Sequence, residues 1–119
     1  MIRLLTIVAI AVAGVMPAAA QRAQPNPYSD RLARLSPIQQ KSVLRRAVLD
    51  SGQICRRADA VGHRGPYRNL EMWTVTCTPG GPYAIFIGLD QSVQVRRCEQ
   101  MARLRLPACA GSVSPNRTR

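Results

Sequence analysis

The alternation of apolar residues with other residues across positions 71–95 constrains the fold of this chain more than any other feature. The stretch reads EMWTVTCTPGGPYAIFIGLDQSVQV and is interrupted by turn-forming residues at TPGGP and at LDQS. Because successive side chains of a strand point to opposite faces, this pattern predicts an antiparallel meander. The face richer in apolar residues would carry Trp73, Val75, Cys77, Tyr83, Ile85, Ile87, Val93 and Val95.

The two turns also predict which residues of the strands lie opposite each other. We centre each turn on its Gly, Pro or Asp residues, because these residues favour tight reversals of the chain. The expected pairs are Val75 with Ile85, Trp73 with Ile87, Ile87 with Val93, and Ile85 with Val95. All of them fall on one face, as a half-buried antiparallel sheet requires.

A helix is predicted over residues 37–51, ahead of these strands. Ser36 is placed to be its N-cap, Pro37 occupies the first helical position, and Gln39 can reach back to the cap. Gly52 is suited to end the helix in a left-handed conformation. The stripe that would cover one sheet face consists of Leu44, Ala47, Val48 and Ser51.

The rest of the domain has weaker patterns, which complete the expected fold class. Alternation at Ile54, Ala58 and Ala60 suggests a short first strand, and a loop is then predicted from Gly62, Gly65, Pro66 and Asn69. A short helical element would begin at Cys98 and stop at Pro107. We therefore expect an α+β fold, with an antiparallel β-meander of three to four strands on one N-terminal helix and two disulfides.

The first 20 residues have the layout of a secretory signal peptide. In MIRLLTIVAIAVAGVMPAAA a single cation, Arg3, precedes an apolar run and a small-residue cleavage motif that ends at Ala20. The apolar run is shorter than the roughly 20 residues that a membrane-spanning helix needs, so the mature form should lack an integral membrane segment. The alternative is that these residues are retained as an N-terminal anchor.

The expected organisation of the chain is a signal peptide (1–20), a flexible segment (21–35), one α+β domain (36–109) and a disordered tail (110–119). We expect the protein in the periplasm or secreted.

Four cysteines, all beyond the predicted signal peptide, indicate two disulfides. They are Cys55, Cys77, Cys98 and Cys109, and their wide spacing beside a single histidine disfavours zinc. Three connectivities are open. We expect Cys55–Cys77 at adjacent ends of a hairpin and Cys98–Cys109 across the last element. If Ala58 and Ala60 both face the core, strict alternation turns Cys55 away from Cys77, which a bulge or a Cys55 in the connecting loop would resolve.

The charge of the chain is strongly positive. The 17 Lys and Arg residues against 6 Asp and Glu residues give a net charge of +11, and every cation except Lys41 is an arginine. This balance favours anionic partners such as nucleic acid, lipopolysaccharide or acidic glycans. The alternative is a solvated surface without a function, because the arginines are dispersed and a GC-rich genome also favours arginine over lysine.

The sequence contains no recognisable catalytic or metal-binding motif. Its one histidine, His63, falls in the predicted loop GHRG between two acidic residues, Asp59 and Glu71. A general base needs an orienting partner and a pocket, so an exposed loop histidine is the simpler interpretation and a small hydrolase the less favoured one. No cofactor and no metal are expected, and we predict a protein that is not an enzyme.

A binding role is easier to derive from the second face of the predicted sheet. This candidate binding face carries Met72, Thr74, Thr76, Phe86 and Arg96. Aromatic and basic groups interleaved on a sheet can bind a polyanion. The competing interpretation is that the C-terminal element covers Phe86 through Met101, Leu104 and Leu106.

The block EMWTVTC…GPYAIFIGLDQSVQVRRC…LPAC resembles small exported proteins of Gram-negative bacteria that have no known activity. More remotely, a helix followed by W-x-V-x-C and Y-x-I-F-I strands resembles PepSY-type (peptidase propeptide) modules. The second resemblance implies a protease inhibitor or envelope regulator, although its disulfides depart from the usual module. We therefore expect a non-enzymatic binding protein of the cell envelope, with an unknown envelope protein or an anionic polymer as partner.

Overall fold

The structure, a computed structural model, describes Gly14 and residues 25–109. The cleavage site expected at Ala20 and the tail expected over 110–119 lie outside the described residues. The elements in chain order are α1 (Pro27–Ala33), α2 (Pro37–Asp50), β1 (Arg57–Tyr67), β2 (Leu70–Thr78), β3 (Gly81–Gly88), β4 (Val93–Arg97) and a 3₁₀ turn (Cys98–Gln100). The strands form one antiparallel sheet in the order β1-β2-β3-β4, which confirms the α+β meander.

The register predicted from the two turns is right for one hairpin and wrong for the other. Between β3 and β4, Ile85 pairs with Val95 and Ile87 with Val93, as predicted. Between β2 and β3, Trp73 pairs with Ile85 rather than with Ile87. The reason is that β3 already begins at Gly81, so the turn is centred one residue earlier. The resulting shift of two residues leaves every side chain on its predicted face.

Strand β1 is much longer than the short strand that the sequence predicts. It continues through Gly65 and Pro66 to Tyr67, so the loop expected there is wrong. Proline is tolerated in β1 because this strand lies at the edge of the sheet, where alternate N–H groups have no neighbouring strand to bond to. Two bulges interrupt its pairing with β2, and the extra residues are Asp59 and Arg64.

Helix α2 is bounded by the two caps that its sequence favours. The Ser36 hydroxyl accepts from the backbone N–H of Gln39, whose side chain returns a bond to the Ser36 N–H. At the other end, Gly52 has a φ of 82° and Gln53 donates to the carbonyl of Val48, which is a Schellman motif. The buried residues of α2 lie against the sheet core, and α2 has more contacts with β1 than with the other strands.

Residues 26–35 are docked on the domain, so the flexible segment predicted over 21–35 is wrong for this part. Asn26 is buried and caps α1 by accepting from Tyr28 and Ser29. Its amide also donates to the backbone carbonyl of Ile87, at 2.9 Å. Ser29 and Leu32 of α1 are also buried, on the side of the helix that faces the domain. The prolines that suggested a flexible lead-in stand before and at the start of a helix, where proline is accepted.

The two faces of the sheet bury separate groups of side chains. The first face and the helices enclose the main core: Leu32, Leu44, Val48, Cys55, Trp73, Val75, Cys77, Tyr83, Ile85, Ile87 and Val95. The second face buries a smaller group, the second cluster: Met72, Ala84, Phe86 and Met101. The alternation read from residues 71–95 therefore assigns the buried residues of β2 and β3 to the face that they occupy.

Both predicted disulfides are confirmed. Cys55 bonds to Cys77 and Cys98 bonds to Cys109, so the described chain has no free cysteine. Cys55 precedes β1 and is still in the connection from α2. The bulge at Asp59 allows Ala58 to pair with Cys77 on the core face while Ala60 pairs with Thr76. Both devices that could resolve the alternation problem are thus present.

Candidate functional site

The five residues of the predicted binding face lie on the second sheet face, but they are not equally accessible. Met72 is fully buried and Phe86 is only 2% exposed, so neither can contact a ligand. Thr74 is 7% exposed. Thr76 and Arg96 are exposed. An open aromatic surface is therefore wrong, and the competing interpretation, that the C-terminal element covers Phe86, describes the structure.

The cover is residues 98–109, which we call the C-terminal segment. It begins with the 3₁₀ turn and continues as consecutive turns, of which one is closed by the Leu106 N–H donating to the Met101 carbonyl at 2.9 Å. Met101 is buried in the second cluster and Leu106 packs against it, whereas Leu104 is 47% exposed. The Cys98–Cys109 disulfide closes the segment onto itself. The segment is therefore held over only part of the sheet face.

A groove of about 560 Å³ remains between the C-terminal segment and the uncovered part of the second face. We call it the C-terminal groove. Its lining is Arg64, Thr74, Thr76, Pro82, Cys98, Met101, Ala102, Leu106, Ala108 and Cys109. Most of these groups are apolar or small, and the polar ones are gathered on the β1–β2 side. The groove is partly open to solvent.

Arg64 is the charged residue of the C-terminal groove, and a bulge directs it there. As the extra residue between the pairs His63–Trp73 and Gly65–Met72, it is released from the strict alternation of β1. Its Nε donates to the Thr74 Oγ1 at 3.0 Å. The side chain is half-buried. Sequence reasoning missed Arg64 because it placed this stretch in a loop.

Gly62 provides the space in which the Arg64 guanidinium lies. A Cβ at position 62 would stand 3.0 Å from the Cζ and Nη2 of Arg64, and 3.1 Å from the Thr74 Oγ1. Such distances are closer than ordinary van der Waals contact, so a larger residue would displace the guanidinium. Thr74 also donates to the Gly62 carbonyl, at 3.5 Å. The guanidinium is thus held against the strand, with Nε bonded to Thr74 and Nη2 close to Gly62.

No ion pair among the described residues neutralises Arg64. The Arg–carboxylate pairs of this part of the chain are Arg46–Asp50, Arg57–Asp59 and Arg97–Glu99, and each joins residues that are close in sequence. Asp50, Asp59 and Glu99 are therefore occupied near their own positions, and no acidic residue lines the groove, which carries a positive charge on its β1 side. An anion could approach this charge from solvent.

His63 has surroundings different from the exposed loop that the sequence predicts. Its ring stacks on Trp73 with centroids 4.4 Å apart and an interplanar angle of 9°. Its Nε2 lies 3.4 Å from the Ser29 Oγ and 3.5 Å from the Glu71 Oε2. Its side chain remains 37% exposed. Serine, histidine and a carboxylate thus meet on the first face, beneath α1, although they are far apart in sequence.

This cluster does not have the geometry of a catalytic triad. A triad requires the hydroxyl on one ring nitrogen and the carboxylate on the other, so that the carboxylate orients the ring and stabilises the imidazolium formed when the first nitrogen takes the hydroxyl proton. Here the serine and the glutamate both approach Nε2. Ser29 is 0% exposed, and its Oγ accepts from the Trp73 Nε1 at 2.9 Å. The arrangement fits structural support of Trp73 better than nucleophilic attack.

Within residues 25–109, no group of three His, Cys, Asp or Glu side chains is placed to hold a metal ion. Over the same range, the helices are too short or too polar to cross a bilayer. The chain matches no protein-family model, no curated protein and no solved structure. The candidate site is therefore interpreted from its own geometry.

Proposed function

We propose that this protein is an exported, non-enzymatic binding protein of the cell envelope, and that the C-terminal groove is where it binds its partner. The observation that carries this proposal is an open groove between the sheet and a disulfide-closed segment, with a positioned guanidinium that has no carboxylate partner among residues 25–109. Preorganised walls lower the entropy cost of binding, because fewer side chains must be ordered when the partner arrives.

Several features support binding rather than catalysis. Among the described residues, the lining of the groove includes an arginine and two threonines but no histidine, carboxylate or free thiol that could move a proton or attack a substrate. The His63 cluster lies on the opposite face of the sheet, and its serine is engaged by Trp73. A groove that positions one charge beside apolar groups suits recognition.

The proposed location and role follow from the disulfides and from the sequence resemblance. Two disulfides in a small domain are typical of an oxidising compartment, which supports a periplasmic or secreted protein. PepSY-type modules, which the helix-and-strand pattern resembles, are regarded as protease inhibitors or envelope regulators. We accordingly propose an inhibitor-like or regulatory module that recognises another envelope protein.

Pull-down from periplasmic extract tests this proposal. Ala102→Trp should obstruct the groove, because Ala102 is exposed and lines it. Ala33→Trp is the matched control, since Ala33 is exposed on α1, away from the groove. We expect wild type and A33W to retain a partner in high salt while A102W loses it. Equal retention by A102W would overturn the groove as the binding site.

The positive charge supports a second candidate, an anion-binding protein for nucleic acid, lipopolysaccharide or acidic glycans. Arg31, Arg34, Arg56, Arg68, Arg96, Arg103 and Arg105 are exposed and outside the ion pairs of the described residues. Binding of this kind should weaken steeply as salt rises, because it releases counterions. Retention of the partner in high salt would exclude this candidate for that partner.

A further inference from the structure

We infer that the C-terminal groove binds the terminal carboxylate of a peptide or protein whose last side chain is apolar, with Arg64 as the carboxylate receptor. This inference rests on the proposed function, because it assigns the chemistry that the same groove recognises. It requires three properties of the groove: a positioned cation, an apolar wall and a hydrogen-bonding group beside them.

The cation is positioned before any ligand arrives. The bond from the Arg64 Nε to Thr74 and the space above Gly62 fix the plane of the guanidinium. Because Nε is already used, the two Nη groups remain as donors, and a guanidinium presents such donors in a geometry that matches a carboxylate. The single positive charge of Arg64 is balanced by the single negative charge of a chain terminus.

The apolar wall lies opposite Arg64 on the C-terminal segment. Ala102, Leu106 and Ala108 line it above the buried Met101, and Pro82 lines the sheet side. The Cys98–Cys109 disulfide also lines the groove, so its wall is held covalently. A space of about 560 Å³ accommodates an aliphatic side chain together with the adjoining backbone. An anion that carries an apolar group therefore fits this groove better than a bare phosphate or sulfate does.

A peptide fits the groove better than a fatty acid does, for two reasons. The open part of the groove would leave part of a long alkyl chain in water, whereas a peptide backbone is well solvated there. Thr76 is exposed and lines the groove, so its hydroxyl can hydrogen-bond to a peptide amide. An alkyl chain has no group that could use this hydroxyl.

Fluorescence anisotropy with the full, oxidised protein tests the inference. The probes are fluorescein-labelled, otherwise uncharged peptides that share one linker and end in Leu, Ile, Val, Phe, Met or Gly. Each is prepared with a free C-terminal carboxylate and as its amide. We expect the apolar acids to bind best and their amides to bind roughly ten- to a hundredfold more weakly, since a hydrogen bond to a charged group is lost.

Variants of the groove connect this difference to Arg64. R64Q should weaken binding of the acids by the same factor and leave binding of the amides unchanged. R68Q is the matched control, because Arg68 is exposed on the turn after β1 and lies over Tyr67 rather than in the groove. G62A should also weaken binding of the peptide acids, because the added Cβ displaces the guanidinium of Arg64. Circular dichroism would establish that R64Q and G62A fold.

Several results would overturn the inference. They are equal affinity for acids and amides, an unchanged affinity in R64Q, or no binding by any peptide of the set. Dodecanoate that displaces the best peptide and binds more tightly would assign the groove to an alkyl carboxylate instead. If A102W abolishes the pull-down but R64Q does not, the inference is wrong and the proposed function stands. If A102W has no effect, the groove itself is not the site.

Discussion

Trp73 is the residue through which the first sheet face is connected to the N-terminal helix. It is buried in the main core, its indole N–H donates to Ser29 of α1, and its ring stacks on His63 of β1. The indole N–H of a buried tryptophan needs a partner, because an unsatisfied donor loses its hydrogen bonds to water. Ser29 is that partner, so one hydrogen bond joins a residue of α1 to the centre of the sheet.

Replacement of Ser29 by alanine should therefore destabilise the domain. S29A leaves the Trp73 N–H without an acceptor in the core, and we expect the free energy of unfolding to fall by about 1–3 kcal/mol. Urea unfolding followed by the emission of Trp73 measures the change. S42A is the control, because Ser42 is exposed on α2 and its hydroxyl donates within that helix, to the Ile38 carbonyl. Equal stability of S29A and S42A would contradict this role of Ser29.

Asp59, the extra residue of the first β1 bulge, gives a prediction about pH. The Thr78 hydroxyl donates to its carboxylate and Arg57 pairs with it, and these contacts hold the pKa of Asp59 below its ordinary value of 3.8. A depressed carboxylate pKa adds stability above the unfolded value, and this stability is lost as the pH falls through the folded pKa. Stability from Asp59 is therefore full at neutral pH and declines only below about pH 4.

The variant T78V removes the principal cause of this shift. We expect the pKa of Asp59 to rise towards its ordinary value, as measured by NMR titration of the carboxyl carbon. Asp90 is the internal control, because a different residue lowers its pKa. The hydroxyl and the backbone N–H of Ser92 both donate to the Asp90 carboxylate. An unchanged pKa of Asp59 in T78V would show that Thr78 does not stabilise the carboxylate.

At the scale of elements, the C-terminal segment determines what the second sheet face can do. The segment contributes Met101 to the second cluster and forms one wall of the groove. It has little regular structure of its own, since the 3₁₀ turn covers only Cys98–Gln100. The disulfide and the buried Met101 therefore hold it in place.

The double variant C98S/C109S should release this segment while the main core persists. By the loop-closure argument a disulfide of this span contributes about 2–4 kcal/mol. We expect a lower unfolding midpoint, increased binding of an apolar dye to the uncovered Met72 and Phe86, and loss of peptide binding in the groove. The emission of Trp73 in the folded state should stay unchanged, because Trp73 lies on the opposite face.

C55S/C77S serves as the contrasting variant. Cys55 and Cys77 are both buried in the main core, so their replacement should perturb Trp73 and spare the second face in the folded fraction. If C98S/C109S alters Trp73 as strongly as C55S/C77S does, the two faces do not act as separate packing units. The comparison thus tests the division of the sheet into a core face and a groove face.

For the whole molecule, the arrangement is a sheet with helices on one face and a disulfide-closed segment on the other. A domain of this size buries a modest core, so covalent links on both faces are a substantial part of its stability. Both disulfides are compatible with an exported protein, and the signal peptide predicted from the sequence would account for its export.

Mass spectrometry of the exported protein tests this account of the whole chain. We expect the mature protein to begin at Gln21 and to carry no free thiol, and its unfolding temperature should fall when a reductant is added. The intracellular form of a signal-sequence variant, L5R, serves as the comparison and should retain Met1. An exported protein with four free thiols, or one that keeps residues 1–20, would contradict the prediction.

Much of the fold was determined by the sequence alone, because the patterns that encode it are local. Alternation along residues 71–95 assigns Trp73 and Phe86 to opposite faces, since adjacent residues of any strand point in opposite directions. The capping residues Ser36 and Gly52 mark the ends of α2, because caps act within one helical turn. The cysteine count and spacing indicated two disulfides, and the topology of a hairpin suggested their pairing.

Only the tertiary structure decided how these elements meet. The β2–β3 register depends on which glycine of TPGGP begins the next strand, and residues 26–35 are ordered by bonds from Asn26 to Ile87 and from Trp73 to Ser29. Arg64 lines the groove because pairing with β2 places a bulge there and Gly62 leaves space. Each of these features depends on contacts between residues distant in the chain, and periodicity within a segment carries no information about them.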